Sequence, residues 1–148
     1  MSAASPQGRL RAATLQAHRE RIGRVAQHLR EQLDEPIDSA AVTKLAGLSL
    51  RQLERIFDRT VGESPVAYVR RLRLERAAAR LRTSGATILT IAIEAGFESH
   101  EAFTRAFRKR FGETPTAYRS LAKASFQPRA RMQLWRHIAN GLRRHIEL

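Results

Sequence analysis

The chain has 148 residues, 43% of them hydrophobic, which suffices for one ordinary domain or for two very small ones. It carries 27 Lys and Arg against 14 Asp and Glu, and the formal net charge of +13 attracts polyanions, nucleic acid before anionic membrane. No cysteine is present, which excludes a disulfide framework, a thiol nucleophile and a zinc site with Cys ligands.

The first predicted element is an amphipathic helix over about residues 14–33. Its apolar residues recur at helical spacing, with arginines and glutamates on the other face: Ile22, Val25, Ala26, Leu29 and Leu33. The residues before it, 1–13, begin with a small, polar stretch and are predicted to form a disordered lead-in. Pro36 ends the helix, and Asp38 is the predicted N-cap of a short second helix that ends at Gly47.

An internal repeat follows. When the chain is shifted by fifty positions, residues 49–70 overlay residues 99–120, and eight of the twenty-two positions are identical. The identical pairs are Ser49/Ser99, Arg55/Arg105, Phe57/Phe107, Gly62/Gly112, Glu63/Glu113, Pro65/Pro115, Ala67/Ala117 and Tyr68/Tyr118. A match of this density indicates that one supersecondary unit is used twice.

Each copy has the sequence pattern of a helix-turn-helix. A short apolar helix leads into a turn that contains glycine, and a serine N-cap then starts a second helix. In the first copy this cap is Ser49, which forms a capping box with Gln52. In the second copy the turn over residues 96–99 is one residue longer. The two units are predicted at about residues 38–60 and 87–111.

A long linker helix is predicted between the copies, over about residues 65–83. Ser64 is its cap, Pro65 takes the first helical position, and Ser84 with Gly85 ends it. At 1.5 Å per residue it spans about 28 Å, comparable with the roughly 34–36 Å between successive major grooves on one face of B-DNA. One chain is therefore expected to dock both units on one duplex, about 10 base pairs apart.

The second helix of each copy has an inward and an outward face. The residues that a helical wheel places inward are Leu53, Ile56 and Phe57 in one copy and Phe103, Ala106 and Phe107 in the other. Arginine, glutamine and glutamate on the outward face can bond guanine, adenine and cytosine respectively. The alternative is a solvated polar face, on which Glu101 and Arg105 form an i,i+4 ion pair. The repeated architecture and the net charge favour contact with DNA.

A set of residues between 91 and 119 matches a known signature: Ile91-Ala92, Gly96-Phe97, Ser99, Phe103, Arg105, Phe107, Phe111-Gly112, Thr114-Pro115 and Tyr118-Arg119. On these residues the chain, over about 22–119, resembles the DNA-binding domain of the AraC/XylS family of bacterial transcription regulators. The resemblance implies an all-α fold of about seven helices, with two helix-turn-helix subdomains joined by a long linker helix.

The resemblance also implies which side chains contact DNA. The base-contacting positions of the family fall on Arg51, Gln52, Arg55, His100, Glu101 and Arg105. Contacts to the DNA backbone are expected from Arg59, Thr104, Arg108 and Lys109. Because the two copies carry different side chains, the DNA site is expected to be asymmetric and not palindromic.

Two segments lie outside the resemblance. Some twenty residues precede it where many members carry a ligand-sensing, dimerising domain, so the chain resembles the compact single-domain members or is a fragment. Residues 120–148 hold six basic side chains and one acid, and Trp135, Ile138, Leu142 and Ile146 recur there at helical spacing. This extension is either an extra helix that contacts DNA, polymerase or a partner, or a linker towards a missing effector domain.

The predicted function is that of a sequence-specific, double-stranded DNA-binding transcription regulator, an activator by family resemblance, with RNA polymerase as its protein partner. No enzyme activity, cofactor or metal is expected, because the histidines lack metal-ligand spacing and no glycine-rich phosphate loop is present. Without a signal peptide or an apolar run near the roughly 20 residues that cross a bilayer, a cytoplasmic, nucleoid-associated location is expected. The alternative is a basic helical protein that binds RNA or an anionic membrane surface.

Overall fold

The computed structural model describes residues 5–126, in which all regular secondary structure is helical. Seven helices follow one another along this part of the chain: α1 Pro6–Glu31, α2 Ser39–Ala46, α3 Leu50–Val61, α4 Pro65–Thr83, α5 Ile88–Glu94, α6 His100–Phe111 and α7 Pro115–Phe126. The chain divides into two compact units, and the division falls within α4, between Arg73 and Leu74. The predicted all-α fold of about seven helices is confirmed for the described residues.

Helix α1 begins at Pro6, well before the predicted start, so residues 6–13 of the predicted disordered lead-in are helical. Ser5 is the N-cap: its Oγ accepts a hydrogen bond from the N–H of Gly8 at 3.2 Å. Pro6 takes the first helical position, where its missing N–H costs nothing. None of residues 6–21 is buried, so this part of the helix has no apolar stripe from which its start could be predicted.

The first unit packs α1, α2, α3 and the first half of α4 around one apolar cluster. Its buried members are Ile22, Val25, Ala26, Leu29, Val42, Ala46, Leu53, Phe57, Tyr68 and Val69. The rings of Phe57 and Tyr68 meet edge to face, with centroids 5.5 Å apart. Arg30 donates to the Tyr68 hydroxyl at 2.7 Å, and Arg73 donates to the carbonyl of Leu33 at 2.9 Å. These bonds hold the first half of α4 against the end of α1.

The second unit packs the second half of α4 with α5, α6 and α7. Its buried members are Leu74, Ala77, Ala78, Leu81, Ile91, Ala92, Ala95, Phe103, Ala106 and Phe107. The Phe107 and Tyr118 rings also meet edge to face, at 5.3 Å between centroids. Arg82 donates to the Tyr118 hydroxyl, and Arg119 donates to the carbonyl of Leu81 at 3.2 Å. These bonds hold α7 against the end of α4.

The two units share one four-helix pattern, so the repeat extends beyond the twenty-two residues found in the sequence. Buried residues of α1 and of the second half of α4 correspond at an offset of 52 positions: Ile22/Leu74, Val25/Ala77, Ala26/Ala78 and Leu29/Leu81. The bond from Arg30 to Tyr68 likewise corresponds to the bond from Arg82 to Tyr118. Helix α1 therefore occupies in the first unit the place that the second half of α4 occupies in the second.

Helix α7 continues past the predicted domain boundary at residue 119 and is described as far as Phe126. Its cap is Thr114, whose Oγ1 accepts a backbone N–H at 3.2 Å. The boundary at 119 is therefore corrected, because it falls inside a helix. The predicted extra helix carried by Trp135, Ile138, Leu142 and Ile146 lies outside the described residues.

Candidate nucleic-acid interface

The local sequence places the start of α3, the second helix of the first helix-turn-helix. Asp38 caps α2 by accepting the N–H of Ala41 at 3.1 Å, and α2 ends at Gly47, whose φ is +64°. A positive φ favours glycine because a Cβ would be strained there. Ser49 then caps α3 by accepting the N–H of Gln52 at 3.3 Å. The predicted turn and both predicted caps are confirmed.

The second helix-turn-helix is built in the same way. Thr87 caps α5, and the chain then reverses at Gly96, whose φ is +81°. Ser99 caps α6 by accepting the N–H of Ala102 at 3.1 Å. From the glycine to the cap this turn has one residue more than the first, as predicted. Both second helices therefore begin directly behind a serine.

The predicted inward faces of α3 and α6 are confirmed. Leu53 and Phe57 in α3 have no exposed surface, and neither have Phe103 and Phe107 in α6. Ile56 is half-buried and packs at the edge of the first cluster. The opposite side of each helix is consequently the side available to a ligand.

The outward faces carry the side chains predicted to contact DNA. The six predicted base-contacting residues are all exposed: Arg51, Gln52, Arg55, His100, Glu101 and Arg105. Three residues predicted to contact the DNA backbone are exposed as well: Arg59, Arg108 and Lys109. Apart from Gln52, these side chains make no hydrogen bond or ion pair with the described residues. Their donors and acceptors are thus unused within this part of the protein.

Corresponding positions of α3 and α6 differ in charge. Counted from the two serine caps, Arg55 and Arg105 coincide, whereas Arg51 corresponds to Glu101. Within residues 5–126, Glu101 and Arg105 do not form the i,i+4 ion pair that the sequence permits. The two faces therefore present different hydrogen-bonding groups. Among the predicted base-contacting positions, only that of Arg55 and Arg105 carries the same residue in both helices.

Gln52 is the base-contacting candidate that already has an intramolecular partner. Its Oε1 accepts the backbone N–H and the hydroxyl of Ser49, both at 3.1 Å. This is the capping box that the sequence predicts. The side-chain oxygen of Gln52 is thus engaged in helix capping, and its amide N–H groups remain available as donors.

Thr104 differs from the other predicted backbone contacts. The residue is half-buried, and its Oγ1 is fully buried without a hydrogen-bond partner among the described residues. A buried hydroxyl in this state cannot reach a phosphate unless its side chain rotates. The structure thus does not bring Thr104 to the surface on which Arg105 and Arg108 lie.

The arginines that the structure describes include two sets that differ in their contacts. One set ties elements of a unit together by donating to side chains or carbonyls elsewhere in the same unit: Arg30, Arg71, Arg73, Arg76, Arg80, Arg82, Arg110 and Arg119. The other set includes all the arginines of α3, and Arg105 and Arg108 of α6, which have no such partner in the described part of the chain. The positive charge on the two second helices is therefore available to an external anion.

A third group of unpartnered arginines lies in α1 and is missing from the predicted site. The side chains of Arg9, Arg11 and Arg19 are exposed and bond to no other described residue. The sequence contained the signal, because no Asp or Glu stands three or four positions from any of them. The same spacing also holds for Arg73 and Arg82, which bond to distant groups, so the signal in the sequence does not by itself separate the two sets.

Other kinds of site find no support in the part of the chain that the structure describes. No group of three or more His, Cys, Asp and Glu side chains there could hold a metal ion. No helix there is long and apolar enough to cross a membrane. The aromatic rings described are buried or half-buried, so they form no exposed stacking platform.

Known proteins are similar to this chain over the region that contains both helix-turn-helix units. The profile of a family described as "Helix-turn-helix domain" matches residues 42–120. Regulatory protein SoxS of Salmonella typhimurium is 34% identical over 103 residues, which are 70% of this chain and 96% of that protein. Right origin-binding protein of Escherichia coli (strain K12) is 41% identical over 87 residues, 59% of this chain. The chain spans only 30% of the length of that second relative.

Solved structures of DNA-binding regulators also resemble this chain. A transcriptional regulator with an AraC-type DNA-binding domain from Chromobacterium violaceum is 29% identical and has a TM-score of 0.65; the match covers 74% of this chain and 95% of that one. The DNA-binding domain of AdpA, a global transcriptional factor solved in complex with a target DNA, is 28% identical and has a TM-score of 0.64. That match covers 71% of this chain and 95% of the AdpA chain.

Proposed function

Because the chain belongs to the AraC/XylS family of DNA-binding transcription regulators, we propose that it activates transcription by docking α3 and α6 in adjacent major grooves of one duplex. The family consists of regulators and not of enzymes, and the proposed ligand is therefore DNA without chemical conversion. RNA polymerase is the proposed protein partner, and the nucleoid is the proposed location.

One observation carries the proposal. Two duplicated units each expose one face of a capped second helix, and the charged side chains on those faces have no partner among the described residues. Helix-turn-helix proteins contact base edges from the N-terminal part of this face. The AdpA domain, which resembles this chain over most of its length, was solved with a target DNA, which supports DNA as the ligand here.

The proposed contacts divide by chemistry. Arg51, Arg55 and Arg105 are assigned to guanine, because a guanidinium can bond O6 and N7 together. Glu101 is assigned to cytosine, because its carboxylate can accept a hydrogen bond from the amino group of that base. Gln52 is proposed to donate to adenine N7 while its oxygen stays in the capping box. His100 is the remaining proposed base-contacting residue of α6, and no particular base is assigned to it.

Contacts to the DNA backbone are proposed for the residues beside these. Arg59, Arg108 and Lys109 are exposed and basic, so each can neutralise a phosphate. Thr104 is retained in this role only with a change of rotamer, because its hydroxyl is buried. Phosphate contacts fix the register of the protein on the duplex and carry no sequence information.

Selection of binding sites from a random pool of DNA duplexes tests the proposed function. The expected product is one asymmetric site with two different short blocks whose centres lie about 10 base pairs apart. A double variant, Arg55→Ala with Arg105→Ala, serves as the control, since it removes the one contact that both helices share. Enrichment of a palindrome, or of no sequence at all, would contradict the proposal.

Binding to RNA or to an anionic membrane is the competing function, and the same protein separates the three ligands. We expect the selected duplex to bind more tightly than an RNA hairpin of equal length or vesicles containing anionic lipid, at one salt concentration. Equal affinity for all three would indicate general polyanion binding, which the net charge alone can supply.

A further inference from the structure

The first sixteen residues of α1, Pro6–Arg21, form a helical arm that belongs to neither hydrophobic cluster. None of its residues is buried, whereas the second half of α1 places Ile22, Val25 and Leu29 in the core of the first unit. At 1.5 Å per residue the arm is about 24 Å long. Only Ala17, His18 and Arg21 of the arm are half-buried, so it contributes little packing energy to the fold, and its helical form calls for another role.

The arm is basic, and its charge is unpaired. It contains four arginines and one acidic residue, Glu20. Glu20 accepts a hydrogen bond from Gln16 at 3.3 Å and pairs with no described arginine. The side chains of Arg9, Arg11 and Arg19 are exposed and likewise bond to no other described residue. The arm therefore resembles α3 and α6 in offering guanidinium groups to an external anion.

The arm is not built to dock on an apolar surface. Its two large apolar residues, Leu10 and Leu15, are 70% and 59% exposed, and a helical wheel separates them by about 140°. Where α4 buries Tyr68 and Val69 in the first unit, the arm carries Gln16 and Ala17 at the corresponding offset. A partner helix or a membrane surface requires an apolar stripe. Phosphates require only positive charge within reach.

We propose that the arm binds phosphates of the DNA duplex outside the two base-contacting blocks and adds affinity without adding sequence preference. The arm continues directly from the part of α1 that packs with α3 in the core of the first unit, so it extends from the same unit that carries the outward face of α3. The proposal requires the arm to reach the phosphates that flank a duplex docked on that face. The inference rests on the proposed function, because it requires a duplex on which α3 is already docked.

The test combines two proteins with two duplexes. The variant Arg9→Gln/Arg11→Gln/Arg19→Gln removes three charges and keeps good helix formers, and Arg9→Lys/Arg11→Lys/Arg19→Lys is the matched control that keeps the charge. One duplex ends at the outer edges of the two selected blocks, and the other extends ten base pairs further on each side. The wild-type chain and the Lys control should prefer the extended duplex by about tenfold, because about three additional phosphate contacts can form only on the longer DNA.

The Gln variant should bind both duplexes equally, with a slope of log K against log salt that is shallower by about 2–3 on the extended duplex. Its selected sequence and its melting temperature should match those of the wild-type chain, because the arm is not buried. A Gln variant that keeps the gain on the extended duplex, or that loses affinity equally on both, would overturn the proposal. The proposal would also be overturned if the Gln variant lost affinity only for vesicles that contain anionic lipid and kept its affinity for DNA.

The experiment distinguishes a failure of the proposal about the arm from a failure of the proposed function. The slope difference between the wild-type chain and the Gln variant is also measured on a random 40-base-pair duplex, where phosphate contacts persist without sequence preference. If no sequence is ever selected but the slope difference remains, the proposed function fails and the arm still binds phosphate. If a site is selected but the slopes coincide, the arm proposal alone fails.

Discussion

Among residues 5–126, intramolecular contacts divide the arginines into two sets. Arg82 and Arg119 each hold α7 against α4, through a tyrosine hydroxyl and a backbone carbonyl respectively. The side chains of Arg51, Arg55 and Arg105 are exposed on the second helices and bond to no other described residue. Replacing a residue of the first set should therefore alter stability, whereas replacing one of the second set should alter DNA binding.

Alanine at Arg51, Arg55 or Arg105 should weaken binding to the best site by about 1–3 kcal/mol and relax the preference at a few neighbouring base pairs. The reason is the loss of a bidentate contact to guanine, which discriminates against the wrong base. Site selection repeated with each variant measures the change. Arg59→Ala is the control, because loss of a phosphate contact should weaken all sequences alike. If the three variants behave like Arg59→Ala, the assignment to base contacts is wrong.

Gln52 allows stability and base preference to be measured separately. Gln52→Ala should lower the free energy of unfolding by about 0.5–1.5 kcal/mol, because the hydrogen bonds to Ser49 are lost. Gln52→Glu keeps an acceptor for the capping box but loses the donor that adenine requires. We expect Gln52→Glu to melt like the wild-type chain and to select a different base pair. An unchanged selected sequence would show that Gln52 acts only in capping.

At the scale of helices, α3 and α6 hold their outward faces in position through the aromatic rings behind them. Phe57→Ala and Phe107→Ala should each lower the free energy of unfolding by about 3–5 kcal/mol, as truncations in a packed core. Thermal melts check this, with Leu89→Ala as the control, since Leu89 is 53% exposed and its loss should cost about 0.5 kcal/mol or less. Melts unaffected by either phenylalanine variant would mean that the two helix faces are inverted.

The sequence predicted those helices whose ends carry caps or glycine turns. Helix α4 has the predicted bounds, because Ser64 with Pro65 begins it and Ser84 with Gly85 ends it. The start of α1 could not be predicted from apolar periodicity, because residues 6–21 bury nothing. The full extent of the repeat was hidden because turns of different length change the offset from 52 between α1 and α4 to 50 between α3 and α6.

The outward faces of the candidate site followed from helical spacing, but the contacts on them did not. The wheel places Arg55 and Arg105 outward, and both are exposed. It cannot show that the Thr104 hydroxyl is buried, because this depends on a rotamer and on the packing around it. Nor can it show which arginines are satisfied by distant carbonyls, since the bond from Arg73 to Leu33 joins residues far apart in the chain.

At the scale of the whole molecule, the net charge of +13 predicts strong salt dependence of DNA binding. Several phosphates should be neutralised at once, and each should steepen the slope of log K against log salt by about 0.9. Titration of a random duplex at several salt concentrations measures the slope, which we expect to be steeper than about −2. A shallower slope would indicate that the basic surface contacts too few phosphates to follow a duplex.

The central claim is that two different units of one chain bind one duplex together. It depends on the duplication, which places a capped second helix in each unit. It also depends on α4, a continuous helix of 19 residues that contributes one half to each unit. It also depends on the different side chains of α3 and α6, which make the expected site asymmetric. Inserting five base pairs, about half a helical turn, between the two blocks would turn one block to the opposite face of the duplex.

Gel shifts on these spacer variants, with stoichiometry from light scattering, therefore test the claim most directly. We predict that one chain binds the selected site with both blocks about 10 base pairs apart, and that the inserted half-turn lowers the affinity to that of a single block. Inserting a full turn of the duplex and permuting the order of the blocks serve as controls for spacing and for asymmetry. A palindromic optimum bound by two chains, or an affinity indifferent to the inserted half-turn, would contradict the account.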